Sequence, residues 1–279
     1  MSADYLDRTK HPTMEYYRHV YKDSRMWTGT ESVEGKTVIV YCEQGLGDNI
    51  QFARYVPLLK EKCTKVILHC PTELHRLFAH FGVDMIDKDN AELPEHDCHV
   101  LSMSLPFSLH QFEVSPNYLV VPEQEDLSEF DGFYKIGIAW EGGPTHPNNA
   151  ERNCPLKHFK ALQTDKTKLL MLQKEIHMPQ LVEGAEDMNL NGVQLNDFYD
   201  TAKLINSLDL VVTVDTAVLH LAGALGKPVM GLLSKRVDTR WAVPFHWYAN
   251  LCLFRQKSTG DWDSVFEELL TYLRKQEVL

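Results

Sequence analysis

DLVVTVDTAVLHLAGALGKPVMGLL, residues 209–233, is the stretch on which the fold turns. Its first six residues form an apolar, β-branched run after one Asp, the mark of a strand buried on both faces. A polar pair, Asp215 and Thr216, opens a run with helical spacing, which Gly226 and Pro228 close before a second apolar run begins. Strand, helix, strand at this length is a βαβ unit, whose two strands lie parallel in one sheet. The stretch is also the longest apolar region of the chain. It carries Asp209, Asp215, His220 and Lys227, too many polar and charged groups for a bilayer span.

The same rhythm continues outward. KIGIAW (135–140) and KLLMLQ (168–173) read as further strands, and helices are expected over 156–163, 197–207, 216–225 and 262–276, the last packing across a domain junction. Earlier in the chain, TVIVYC (37–42), KVILHC (65–70), VDMI (83–86), CHVL (98–101) and YLVV (118–121) read as the strands of a first parallel sheet. A helix is expected over 48–62, and another ends at Phe81. PEQEDLSEFDG (122–132) is acidic and broken by Pro and Gly, which suits a linker. The expectation is an α/β protein of two Rossmann-like domains, residues 1–125 and 126–279, the first with an aromatic N-terminal extension.

Composition narrows the function classes. A chain of 279 residues with 44% hydrophobic and 24% charged residues is ordinary globular material, long enough for two cores. A net charge of -11 opposes wrapping by nucleic acid, so a nucleic-acid partner is not expected. The six cysteines include no CxxC pair and no zinc spacing, and read as reduced thiols. The N-terminus lacks the apolar core of a signal peptide, which makes the cytoplasm the expected compartment.

In sheets of this kind ligands bind beyond the carboxyl ends of the strands, which directs attention to three loops. The first is EQGLGD: Gln44, Gly45 and Gly47 form an irregular turn and Asp48 stands at the start of the following helix. Asp48 can be a general base toward an acceptor hydroxyl or a helix N-cap, and one carboxylate can serve both roles. The glycine spacing is not GxGxxG, and no acidic residue follows on the next strand, so a nicotinamide cofactor is not expected. The second loop, EGGPTHPNNAERNCP, holds Gly142, His146 and Arg152; Arg152 can neutralise a departing diphosphate or simply be solvated, and His146 reads more simply as an exposed loop histidine. The third presents Asp215, Thr216 and Ala217 at a helix N-terminus, a natural anion site, with His220 one turn on. Read blandly, Asp215 and Thr216 cap the helix and His220 is a satisfied core histidine.

Two DxD strings, Asp87-Lys88-Asp89 and Asp261-Trp262-Asp263, are candidate metal pairs, but the first sits in a polar turn and the second opens a helix, so no metal site is expected. The motifs G-x-S-x-G, HExxH and GxxxxGK[ST] are absent.

Taken together, GKTVIVYCEQGLGDNIQFARYVPLL, GIAWEGGPTHPNNAERNCPL and DTAKLINSLDLVVTVDTAVLHLAGALGKPVMGLL resemble the heptosyltransferase-like glycosyltransferase family 9, in particular the branch often fused to tetratricopeptide repeats. The resemblance implies a glycosyltransferase B fold, two Rossmann-like domains facing a cleft, with the acceptor on the N-terminal side and a nucleotide diphosphate sugar donor on the C-terminal side. It implies Asp48 as base, with Gln44, Gly45 and Gly47 in the acceptor-side loop. It further implies Gly142, Asp215, Thr216, Ala217 and His220 on the donor, and Arg152 at the leaving diphosphate. Two positions depart from the family pattern: Arg152 where heptosyltransferases usually have Lys, and Ala217 where Gly is common after the Asp-Thr pair. The donor is therefore not assigned as ADP-heptose.

The expected activity is inverting, metal-independent sugar transfer to a hydroxyl of a carbohydrate, glycolipid or protein acceptor, with no bound cofactor. Two alternatives stay open: a nucleotide-sugar epimerase of similar fold, and a protein that binds nucleotide or sugar without turnover.

Overall fold

The computed structural model describes residues 8–113, 115–144, 148–176, 182–183, 185, 188, 190–242 and 246–279. It divides into two compact units, Met1–Ser115 and Pro116–Leu279.

The first unit comprises α1 (Glu15–Val20), β1 (Thr37–Tyr41), α2 (Leu46–Phe52), α3 (Val56–Lys60), β2 (Lys65–Cys70), α4 (His75–Phe78), β3 (Asp84–Asp87), β4 (Cys98–Leu101) and α5 (Leu105–Ser108). Its four strands are all parallel, in the order β3-β2-β1-β4, so the chain reverses its direction of travel across the sheet between β1 and β4. The expected helix over 48–62 is broken: a 3-10 turn at Ala53–Tyr55 separates α2 from α3, whose first turn contains Pro57. Proline suits a first turn because it lacks an N–H that the helix would leave unpaired.

Helical segments cross from β1 to β2 and from β2 to β3, but the connection from β3 to β4 has none. The N-terminal segment fills that place. Met14, Tyr17 and Tyr21 pack on Ile39, Tyr41, Ile67 and Leu101. Strand register puts His69 beside Tyr41 and His99 beside Ile39. Both histidines are bonded by the segment's tyrosines: Tyr21 Oη lies 2.8 Å from His69 Nδ1 and Tyr17 Oη 2.8 Å from His99 Nε2. Backbone bonds from Trp27 N to His99 O (2.7 Å) and from His99 N to Arg25 O (2.9 Å) lay the end of the segment along β4. The aromatic extension is thus a layer of the first core.

YLVV (118–121) is not a strand of the first sheet. Tyr118 N and Leu119 N reach Ala224 O at 3.2 and 3.3 Å, Asn206 Nδ2 donates to Val121 O at 2.7 Å, and the segment belongs to the second unit. Leu119 and Val121 are buried while Val120 is 62% exposed. That alternation fits an extended segment docked on helix ends as well as it fits a strand, and four residues cannot distinguish the two. The acidic stretch that follows is docked as well: Ser207 Oγ accepts from Glu125 N at 2.8 Å, and Lys203 pairs with Glu125 at 3.5 Å.

The second unit comprises β5 (Tyr134–Ala139), α6 (Asn149–Arg152), β6 (Thr167–Met171), β7 (Leu190–Gly192), α7 (Phe198–Asn206), β8 (Leu210–Val214), α8 (Ala217–Ala224), β9 (Val229–Leu233), α9 (Thr239–Ala242), β10 (Leu251–Arg255) and α10 (Trp262–Lys275). The stretch expected as a helix over 156–163 is a 3-10 helix, Leu156–Leu162. The strands are all parallel, in the order β10-β9-β8-β5-β6-β7, the doubly wound arrangement with its reversal between β5 and β8. Caps fix the helix starts: Asp197 accepts from Tyr199 N and Asp200 N, Thr216 from Val218 N, and Asp261 from Ser264 N. The buried face of α10, Trp262, Val265, Phe266, Leu269 and Leu273, joins the core around Ile136, Trp140 and Phe159.

Candidate functional site

In the second unit the reversal between β5 and β8 places two loops side by side. Ala139 pairs with Thr213, so Trp140, Glu141 and Gly142 leave the sheet next to Val214, Asp215 and Thr216. Gly142 N donates to Asn153 Oδ1 at 3.0 Å. The Arg152 guanidinium lies over the α-carbon of Gly142, where a β-carbon would stand 2.1 Å from Nη2. Glycine is needed here for close approach by a cation. Buried polar atoms of this stretch, Trp140 Nε1 and Asn149 Oδ1 among them, have no hydrogen-bond partner among the described residues. Such atoms cost about 1–3 kcal/mol each unless a ligand or water satisfies them.

Asp215 faces this cation. Burial raises its carboxyl pKa, and Arg240, then Arg152, then the Trp241 indole oppose the rise. Thr216 is the N-cap of α8, with its hydroxyl accepting from Val218 N at 3.2 Å, and Ala217 is the first helical residue. Asp215, Thr216, Ala217 and Arg152 all sit at the carboxyl edge of one sheet, where the sequence placed them. His220 is only 3% exposed: its Nδ1 lies 2.9 Å from Tyr248 Oη, and Trp241 stacks on its ring at 5.6 Å and 21°. Its core reading is therefore realised, and any ligand role would be through that packed aromatic group. His146 lies outside the described residues.

Two residues of this neighbourhood carry no signal in the sequence: Asp238 and Arg240. They sit after β9 in a polar stretch with no motif, and only the parallel order of β8 and β9 brings them to Asp215.

The first unit has its own reversal, between β1 and β4. Glu43, fully buried, spans it: Glu43 N donates to Ser102 Oγ at 3.3 Å and Met103 N donates to Glu43 Oε1 at 3.2 Å. The left-handed residue of the turn is Gln44 (φ 62°), rather than either glycine. Gly45 is the extended N-cap of α2 and Gly47 is already helical. Asp48 Oδ2 accepts from Gly45 N at 3.1 Å, so Asp48 is the N3 member of a capping box and not the N-cap itself, and its side chain is half-buried. Lys88, weighed in the sequence only as the middle of a DxD string, donates to Gln44 O at 3.4 Å and lies 5.5 Å from the Tyr41 ring centre. Burial lowers its pKa.

The two DxD strings have structural duties. Asp87 Oδ1 accepts from Asp89 N at 2.8 Å, and Asp261 caps α10. Among the described residues no group of three His, Cys, Asp or Glu side chains could hold a metal ion, and no helix is long and apolar enough to cross a membrane.

A family model described as glycosyltransferase family 9 (heptosyltransferase) matches residues 171–260, which include the Asp215 loop and α8. Protein FlbA of Caulobacter vibrioides is 24% identical over 289 residues, covering 89% of this chain. The chain spans 48% of that relative's length. The crystal structure of a family 9 glycosyl transferase from Veillonella parvula superposes with a TM-score of 0.59 at 14% identity, over 85% of this chain and 92% of the other. TibC from enterotoxigenic E. coli H10407, an iron-containing dodecameric glycosyltransferase, gives 0.58 at 11% identity, over 88% and 78%. It is also known in complex with ADP-D-beta-D-heptose. The two parallel sheets with interleaved helices match the glycosyltransferase B fold of these structures.

Proposed function

We propose that the protein transfers a sugar from a nucleotide diphosphate carrier to an acceptor hydroxyl, with inversion and without a metal ion. The observation that carries this reading is the second-unit crevice: Arg152 laid on Gly142, beside Asp215 and the capped start of α8, at the reversal of a doubly wound sheet. A diphosphate fits a guanidinium and the positive end of a helix, and Asp215 can hold sugar hydroxyls.

In the proposed step Asp48 takes the proton of the acceptor hydroxyl as its oxygen attacks the anomeric carbon. The bond from that carbon to the diphosphate oxygen breaks, and the electron pair leaves with the diphosphate, stabilised by Arg152 and α8. Placement in the branch often fused to tetratricopeptide repeats rests on the three motif stretches quoted above. The six unpaired cysteines agree with a reducing compartment such as the cytoplasm. A carbohydrate, glycolipid or protein acceptor is compatible with this chemistry.

The test is a panel of nucleotide sugars with and without acceptor, in chelator and with added iron. Transfer that survives chelator, lies with one donor class, inverts the anomeric centre and disappears in Asp48→Asn supports the reading. Change of the donor without acceptor would make the protein an epimerase. Nucleotide affinity with no turnover would make it a binder, and transfer restored only by iron would overturn metal independence.

A further inference from the structure

The short helix α9 packs on α8 through Trp241, and Tyr248, further along the chain, joins it there. Trp241 stacks on His220. Tyr248 bonds His220 and covers Gly223, where a β-carbon would stand 2.4 Å from its ring. Trp247 Nε1 donates to Arg240 O at 3.1 Å, so the backbone of α9 is held by an aromatic side chain from beyond it. Asp238 organises the turn: its carboxylate accepts from Arg240 N at 2.9 Å and pairs with Arg240 Nε at 3.1 Å. The Arg240 side chain is 16% exposed. A long cationic side chain is rarely held that far from water without a partner or a task. Asp238 and Trp247 hold Arg240 directly, and Trp241 ties the helix that carries it to α8.

We propose that Arg240 is a second diphosphate-binding residue of the donor site, presented by α9 opposite Arg152. The inference rests on the donor-site reading above and extends it to a residue that neither the motifs nor the comparisons assign. Arg240 on α9 and Arg152 on α6 both favour the ionised form of Asp215. In the absence of ligand, Asp215 and Asp238 balance the two arginines. An incoming diphosphate brings acceptor oxygens that a guanidinium engages two at a time, and so competes with the carboxylates for both forks. Arg240 then grips the phosphates by charge and geometry, Asp238 sets its orientation, and the Trp241–His220 stack keeps α9 from swinging away.

The test measures binding of ADP, UDP, GDP and CDP, and of the parent nucleosides, to the full chain by calorimetry, at two salt concentrations. For whichever diphosphate binds the unmodified protein, Arg240→Ala and Arg240→Gln are expected to weaken affinity at least tenfold and to flatten its salt dependence. Arg240→Lys should recover only part of the loss, because an ammonium lacks the fork. The affinity of the parent nucleoside, if measurable, should change less than twofold. Arg240→Gln can still donate to Asp238 and serves as the second variant should Arg240→Ala unfold. Diphosphate affinity within twofold of the unmodified protein in either folded variant overturns the role of Arg240 while leaving the donor site intact. Equal losses for nucleoside and diphosphate also overturn it, reducing α9 to a structural brace. If no nucleoside diphosphate binds the unmodified protein, the donor-site reading itself fails and this inference with it.

Discussion

The Asp48 carboxylate bonds Gly45 N and, in the proposed reaction, also takes the acceptor's proton, and substitution can separate the two. In Asp48→Asn the amide oxygen can still accept from Gly45 N, so the fold should hold while turnover falls by about 10²–10⁴-fold, as loss of a general base does. Asp48→Ala should in addition lose the cap, about 0.5–2 kcal/mol in a denaturant titration. Gly142→Ala is a second probe. Its β-carbon would meet the movable end of Arg152, so melting temperature should change little while kcat/KM drops at least tenfold. Asp215 gives a pH signature. Its folded pKa is raised, chiefly by burial, so the stability that goes with holding its proton is present at low pH and lost as pH rises through that pKa. Asp215→Asn removes the loss, and its melting temperature relative to the unmodified protein should climb with pH from the ordinary carboxylate range upward. Asp48, Arg152 and Asp215 were legible because loop position after a strand is a sequence property. Glu43, Lys88 and Arg240 were not, because their significance comes from neighbours across a sheet, which spacing along one chain does not encode.

At the scale of elements, the long parallel strands were legible because buried strands read as unbroken apolar runs, and β2 and β4 fall on the runs as read. α1 was not. Six residues, EYYRHV, have no helical stability of their own, and they fold because the bare face of the first sheet accepts two tyrosines. That docking should be acid-sensitive. Burial depresses the pKa of His69 and takes that of His99 down to about 4. Both folded values lie below the ordinary histidine value, so their contribution is present above about pH 6.5 and lost as pH falls toward 4. Near-UV circular dichroism of the tyrosine layer should decline across that window. His99→Gln, which bonds without titrating, should flatten the decline. Tyr21→Phe leaves His69 Nδ1 without its partner and should cost about 1–3 kcal/mol at neutral pH.

At the scale of the molecule, both units end the central strand of their sheet with a buried glutamate, Glu43 after β1 and Glu141 after β5, followed in each by a glycine within two residues. The two loops that matter most thus share a local design while their sequences diverge, and for this reason the architecture repeats without a detectable sequence repeat. A nucleotide held by the second unit should stabilise the protein by about 2.7 kcal/mol at one hundred times its dissociation constant, read as a thermal shift. The first unit is closed differently, by a segment that precedes its sheet rather than by one threaded between its strands. A cover that does not run between two strands of the sheet need not be covalently attached to it. A chain beginning near residue 30 should therefore be a receptor for a synthetic peptide of residues 8–27, with Tyr17 and Tyr21 as its anchors, and the two pieces should reconstitute a folded first unit in solution.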